Sequence, residues 1–159
     1  MKTKQIILLS IALLMPVAVF LFLKGFGRNE FIVPAMFTDS LPSRSAACTE
    51  EITLPYAISK TELENAGISA DSLVCVYFNG QADKDLLSRV RNEYTGYPIR
   101  FYDGAQMSEQ KKECVFLLQE PFDVALVDSK GRIRGQYNAD KRDEMDRLIT
   151  EIAIIFKKY

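Results

Sequence analysis

The run Leu73-Val74-Cys75-Val76-Tyr77-Phe78 constrains the fold more than any other stretch of this chain. It is continuously apolar, rich in Val and aromatic residues, and stopped by Asn79 and Gly80. A run this short, without polar alternation, fits a strand buried on both faces, which demands a layer above it and a layer below. Asp83 then opens a helical pattern in which Leu86, Leu87, Val90 and Tyr94 share one face, and Gly96 ends it. Pro98 to Tyr102 alternates as a second strand. A helix between two such strands implies a parallel crossover. Strand, tight loop and helix N-terminus is where α/β proteins converge backbone N–H groups on a ligand. Asn79, Gly80, Gln81, Ala82 and Asp83 therefore occupy the position of an active-site loop, yet they include no Cys, no His and no phosphate-binding glycine pattern.

The remaining elements follow from period and punctuation. Thr61 to Ala66 reads as a short helix stopped by Gly67. Ile52 to Tyr56 reads as a short edge strand, the only place in a sheet where Pro55 is tolerated. Ser108 caps a helix that leads into Cys114, and the chain from Val115 to Leu118 fits either helix or extended backbone. Phe122 to Tyr137 is a hairpin whose turn is Asp128-Ser129-Lys130-Gly131. From Asp140 onward, Met145, Leu148, Ile149, Ile152, Ile155 and Phe156 form an apolar helical stripe. The order is βαβ followed by ββα. The fold class is α/β: a thioredoxin-like central sheet with flanking helices, preceded by one transmembrane helix.

That helix is Gln5 to Leu23, which carries no charge and is about the length needed to cross a hydrocarbon core of roughly 30 Å. A cleaved signal peptide would have a shorter apolar core and a small-residue cleavage site, whereas Lys24-Gly25-Phe26-Gly27-Arg28 follows here. The balance of Lys2 and Lys4 against Lys24 and Arg28 places the N-terminus in the cytoplasm. The expectation is a single-pass inner-membrane protein with its C-terminal domain in the periplasm. Residues 1–24 form the anchor, 25–47 a linker and 48–159 the domain. Within the linker, Phe31 to Pro34 and Met36-Phe37 are apolar enough to dock as an extended segment.

Composition narrows the chemistry. The chain has no histidine, which removes imidazole bases, Ser–His and Cys–His nucleophile pairs and His-containing metal sites. A net charge of −1 gives no basic surface for nucleic acid. Three cysteines are too few for an all-thiolate structural zinc site. Cys75 lies inside the buried strand and reads as an inert core residue. Cys48 and Cys114 admit three readings: a structural disulfide that pins the N-terminal segment to the domain, a redox-active or metal-handling pair, or two separate thiols. The first is preferred, because neither cysteine sits in a CxxC arrangement. Asp83 and Asp85, two apart on a helix, do not face each other and serve the helix N-terminus rather than a metal. Arg132 and Arg134 share a strand face, which is either solvated or open to an acidic partner.

The segment from Val127 to Gly135, Val-Asp-x-x-Gly-Arg-Ile-Arg-Gly, with its following helix, resembles the C-terminal hairpin and helix of Sco/SenC-like proteins. These are membrane-anchored thioredoxin-fold proteins that assist cytochrome c oxidase assembly. The anchor and the Val-Tyr-Phe strand agree, and the likeness spans about three quarters of the chain. Copper-handling members carry a CxxxC motif after the central strand and a histidine before the hairpin. This chain has Phe78 to Asp83 at the first position and Glu120-Pro121 near the second, with no sulfur and no imidazole. Copper is therefore not expected as a cofactor. The resemblance also makes Pro121 the candidate cis proline facing the vacant loop. It implies a non-catalytic, periplasm-facing accessory in respiratory oxidase assembly. The alternatives are a thiol-disulfide or copper-handling protein using Cys48 and Cys114, and a scaffold docked to other membrane subunits.

Overall fold

The structure, a computed structural model, describes residues 3–26, 31–49, 51–69, 71–78 and 84–157. The chain divides into two compact units, Met1–Ile32 and Val33–Tyr159.

The first unit is helix α1 (Thr3–Phe26). Its described side chains from 3 to 25 are all exposed, and its mean hydropathy of 3.0 is far above that of a helix built for water. At 24 residues it is about 36 Å long, more than the hydrocarbon core requires. It is a candidate transmembrane helix, with Pro16 inside it.

The second unit contains α2 (Lys60–Asn65), β1 (Leu73–Tyr77), α3 (Lys84–Glu93), β2 (Ile99–Asp103), α4 (Glu109–Cys114), β3 (Val124–Val127), β4 (Ile133–Tyr137) and α5 (Arg142–Ile155). The four strands form one mixed sheet in the order β2-β1-β3-β4. β2 runs parallel to β1, and β3 runs antiparallel to both β1 and β4. β1 is central, and Leu73, Val74, Cys75 and Val76 are all buried. Its residues alternate between two cores. Leu73 and Cys75 face a cluster built with Val90, Tyr94, Met145, Leu148 and Ile152. Val74 and Val76 face a cluster built with Ile58, Leu63, Ile68 and Phe116 to Leu118.

A bulge in the hairpin sorts β4 between these cores. Val127 pairs with Ile133 and Leu126 with Gly135, so Arg134 has no partner in the register. Residues four apart on a regular strand share a face. The extra residue instead sends Ile133 to one core and Tyr137 to the other. Gly135 is required beside it: a Cβ there would lie 2.0 Å from the Tyr137 hydroxyl oxygen. At the turn, Gly131 adopts φ +76°, and a Cβ would lie 2.1 Å from the Ile58 carbonyl oxygen.

One expectation is corrected. The segment Ile52 to Tyr56 is not a strand; its Tyr56 N–H donates to the Phe37 carbonyl at 2.9 Å and it joins no ladder. Within the segment 25–47, read as a linker able to dock, residues 33–47 belong to the second compact unit. Val33 is buried, Met36, Phe37 and Leu41 pack on the second core, and the Met36 N–H donates to the Ile133 carbonyl at 2.8 Å. The undecided stretch after α4 is a buried irregular turn through Phe116, Leu117 and Leu118, with Leu117 at φ +51°.

Candidate functional site

The C-terminal end of β1 meets the chain between α4 and β3. The Phe78 N–H donates to the Asp123 carbonyl at 2.8 Å, and the Gly104 N–H donates to the Tyr77 carbonyl at 2.7 Å. Phe78 packs edge-on against Phe116, with ring centroids 5.0 Å apart. Gly104 leaves room for that ring, since a Cβ there would come within 2.9 Å of it. Glu120, Pro121 and Phe122 form the opposite wall, and the Glu120–Pro121 peptide bond is cis. Lys112, Asp123 and Asp140 complete an open groove of about 350 Å³. The Asp123 backbone N–H donates to the Tyr137 carbonyl at 3.0 Å, while its carboxylate accepts from the Ala139 N–H at 2.7 Å. That side chain therefore joins the hairpin to the start of the last helix. The loop residues Asn79, Gly80, Gln81, Ala82 and Asp83 lie outside the described residues.

Sulfur is kept away from this groove. Cys75 is fully buried in β1, and burial pushes its thiol up to about 12, with Arg91 lowering it only in part. Cys48 and Cys114 are bonded to each other, with Cα atoms 5.4 Å apart across 66 residues of sequence. Their bond lines a separate open groove of about 250 Å³ with Glu62, Gln110 and Lys111. A copper site of the thiolate and imidazole kind does not fit the end of β1: the chain has no histidine, and none of the three sulfurs lines that groove. The groove combines Phe78, Pro121 and Phe122 with a larger polar share that includes charged side chains of both signs.

The two hairpin arginines face inward to a shared carboxylate. Asp128 accepts from Arg132 at 2.7 Å and from Arg134 at 3.3 Å. Burial alone would raise the Asp128 carboxyl, but hydrogen bonds from Arg132 and Lys130 outweigh it and hold the group below its ordinary value. Arg134 also donates to the Val33 carbonyl, so this carboxylate orients the residue that clamps the start of the second unit. Lys112, Asp123 and Asp140 escaped the sequence reading because they come from three separate segments with no shared local period. No protein-family model, curated protein or solved structure matches the chain.

Proposed function

We propose that the chain is a membrane-anchored, thioredoxin-like accessory protein whose second unit faces the periplasm and binds a protein partner at the C-terminal end of β1. The observation that supports this reading is the mixed four-stranded sheet, in the order β2-β1-β3-β4 with β3 antiparallel to its neighbours. The groove beside Phe78 and Pro121 lies at the strand end where open α/β sheets receive their ligands. The long exposed apolar helix supports the anchor. Sco-type assistance to respiratory oxidase assembly rests on the Val127 to Gly135 pattern, which forms the β3–β4 turn and the first part of β4. Copper has no role in this reading, because soft donors are missing at the groove.

Disruption of the gene tests the oxidase assignment. The expected outcome is a fall in assembled oxidase that added copper does not restore and the wild-type gene does. Glu120→Arg reverses an exposed charge on the groove wall without entering the core; it is expected to fail to complement. Unchanged oxidase levels in the disrupted strain would remove the assignment, and full complementation by Glu120→Arg would move partner docking elsewhere. A C-terminal alkaline phosphatase fusion checks orientation, since that enzyme is active only outside the cytoplasm.

A further inference from the structure

We infer that the Cys48–Cys114 disulfide is a thiol-exchange site at which a protein dithiol opens the cover of the second core. Three observations meet here. Both cysteines are only half-buried, the residues beside Cys48 (Ala46, Ala47 and Thr49) are exposed, those beside Cys114 (Glu113 and Val115) are half-buried, and the bond lines an open groove. Glu62, Gln110 and Lys111 line the same groove, a polar and open surface that a protein donor can approach from solvent. The third cysteine is fully buried in β1, with its thiol pushed up to about 12, so opened sulfurs do not reshuffle onto it.

The bond also stands at the end of a strap. Backbone hydrogen bonds fix residues 33–49 to the domain at Met36 and Phe37. Farther along, the Gln119 side chain donates to the Ser43 carbonyl and the Gln110 side chain to the Ala47 carbonyl, before the chain closes covalently at Cys48. Gln119 immediately precedes Glu120-Pro121, and the Phe122 N–H donates to its carbonyl at 2.9 Å. The strap therefore braces the wall of the groove beside Phe78. Opening the bond removes the covalent tie and leaves that wall held by weaker contacts.

The exchange balances with a dithiol donor, a thioredoxin-class protein in chemical terms. Its thiolate attacks one sulfur of the Cys48–Cys114 bond, forming a mixed disulfide and releasing the other sulfur, which takes a proton. The donor's second thiol then breaks the mixed disulfide. Two electrons and two protons pass to Cys48 and Cys114, and the donor leaves as its own disulfide.

The test uses the full chain in detergent micelles, incubated with dithiothreitol without denaturant, then alkylated and read by mass spectrometry beside hydrogen exchange. The expected result is labelling of Cys48 and Cys114 but not Cys75. Deuterium uptake should rise on the order of tenfold in residues 43–49 and 119–122, while β1 and β3 are unchanged. The Cys48→Ser, Cys114→Ser double variant should show the reduced pattern without reductant. A bond that resists reduction until denaturant is added overturns the inference. So does a bond that opens with no change in uptake, since the strap would then be held without it. Both readouts are independent of the partner, so they fail separately from the proposed function.

Discussion

On one face of the sheet, Leu73, Cys75, Leu126 and Tyr137 meet side chains delivered mainly by two regular helices, α3 and α5. On the other, Val74, Val76, Ala125 and Val127 meet Ile58, Ile68 and Phe116 to Leu118, which come from irregular chain. A helix satisfies its own backbone, so an apolar stripe is enough to let it cover a sheet. Irregular chain brings carbonyls that need donors from elsewhere. The second face accordingly collects long-range bonds from side chain to backbone. Gln136 donates to the carbonyls of Phe116 and Leu117, Tyr56 to that of Val115 at 2.6 Å, Arg134 to that of Val33 and Gln119 to that of Ser43. It also carries the disulfide. The helical face has polar ties too, with the Tyr94 hydroxyl donating to the Ile149 carbonyl at 2.5 Å and Arg147 to the Gln136 carbonyl at 2.7 Å. It is nevertheless covered mainly by helices, whereas the irregular face also needs the covalent clamp.

The largest effect should come from the helical face. Leu148→Ala opens a cavity under a fully buried position of α5 and is expected to cost about 3–5 kcal/mol in urea unfolding. A loss under about 1 kcal/mol would mean that α5 contributes less than its stripe implies. The Cys48→Ser, Cys114→Ser pair should cost about 2–4 kcal/mol, because the bond closes a loop across 66 residues. An equal loss on fully reduced wild type would assign the cost to the covalent tie itself.

Asp128→Asn should cost about 1–2 kcal/mol, as Arg132 and Arg134 lose their charged acceptor. The pH dependence has a definite sign. The Asp128 carboxyl ionises more readily in the folded chain than in the unfolded one. Its contribution is complete above the unfolded value near pH 4 and is lost as pH falls through the lower folded value. Thermal melts at pH 3 and pH 6 should therefore differ more for wild type than for the Asn variant. The smallest effect belongs to Arg89→Ala on the helical face. Arg89 meets Asp146 at 2.6 Å, but both side chains are about half exposed, so the pair should be worth less than about 1 kcal/mol. A larger loss there would mean that this exposed pair, and not only the partly buried bonds of Tyr94 and Arg147, helps hold the helices.

The helical face was legible in the sequence. The Met145, Leu148 and Ile152 stripe, the Val90 and Tyr94 face and the unbroken β1 run each appear within a short window, because helix and strand periods are local. The hairpin and the Ser108 cap were equally local, and the cap accepts from the Lys111 N–H at 3.3 Å. The irregular face was not legible in the same way. The apolar residues at Met36-Phe37 suggested docking, but a segment without period does not name what it docks on, and its fixed points Ile133 and Gln119 lie far along the chain. The groove walls have the same difficulty, since Phe78, Lys112, Pro121 and Asp140 share no window.

Most of the regular elements, the apolar N-terminal helix and the lack of imidazole were readable along the chain alone. The three-dimensional packing selected the Cys48–Cys114 bond among the readings left open. It alone revealed the bulge at Arg134 that sends Ile133 and Tyr137 to different cores, and the points at which residues 33–49 are tied down. The physical reason is range. Periodicity and capping are settled among residues within a turn or two of each other, whereas a bulge, a cross-link and an irregular cover are settled by which distant surfaces leave polar groups to be satisfied.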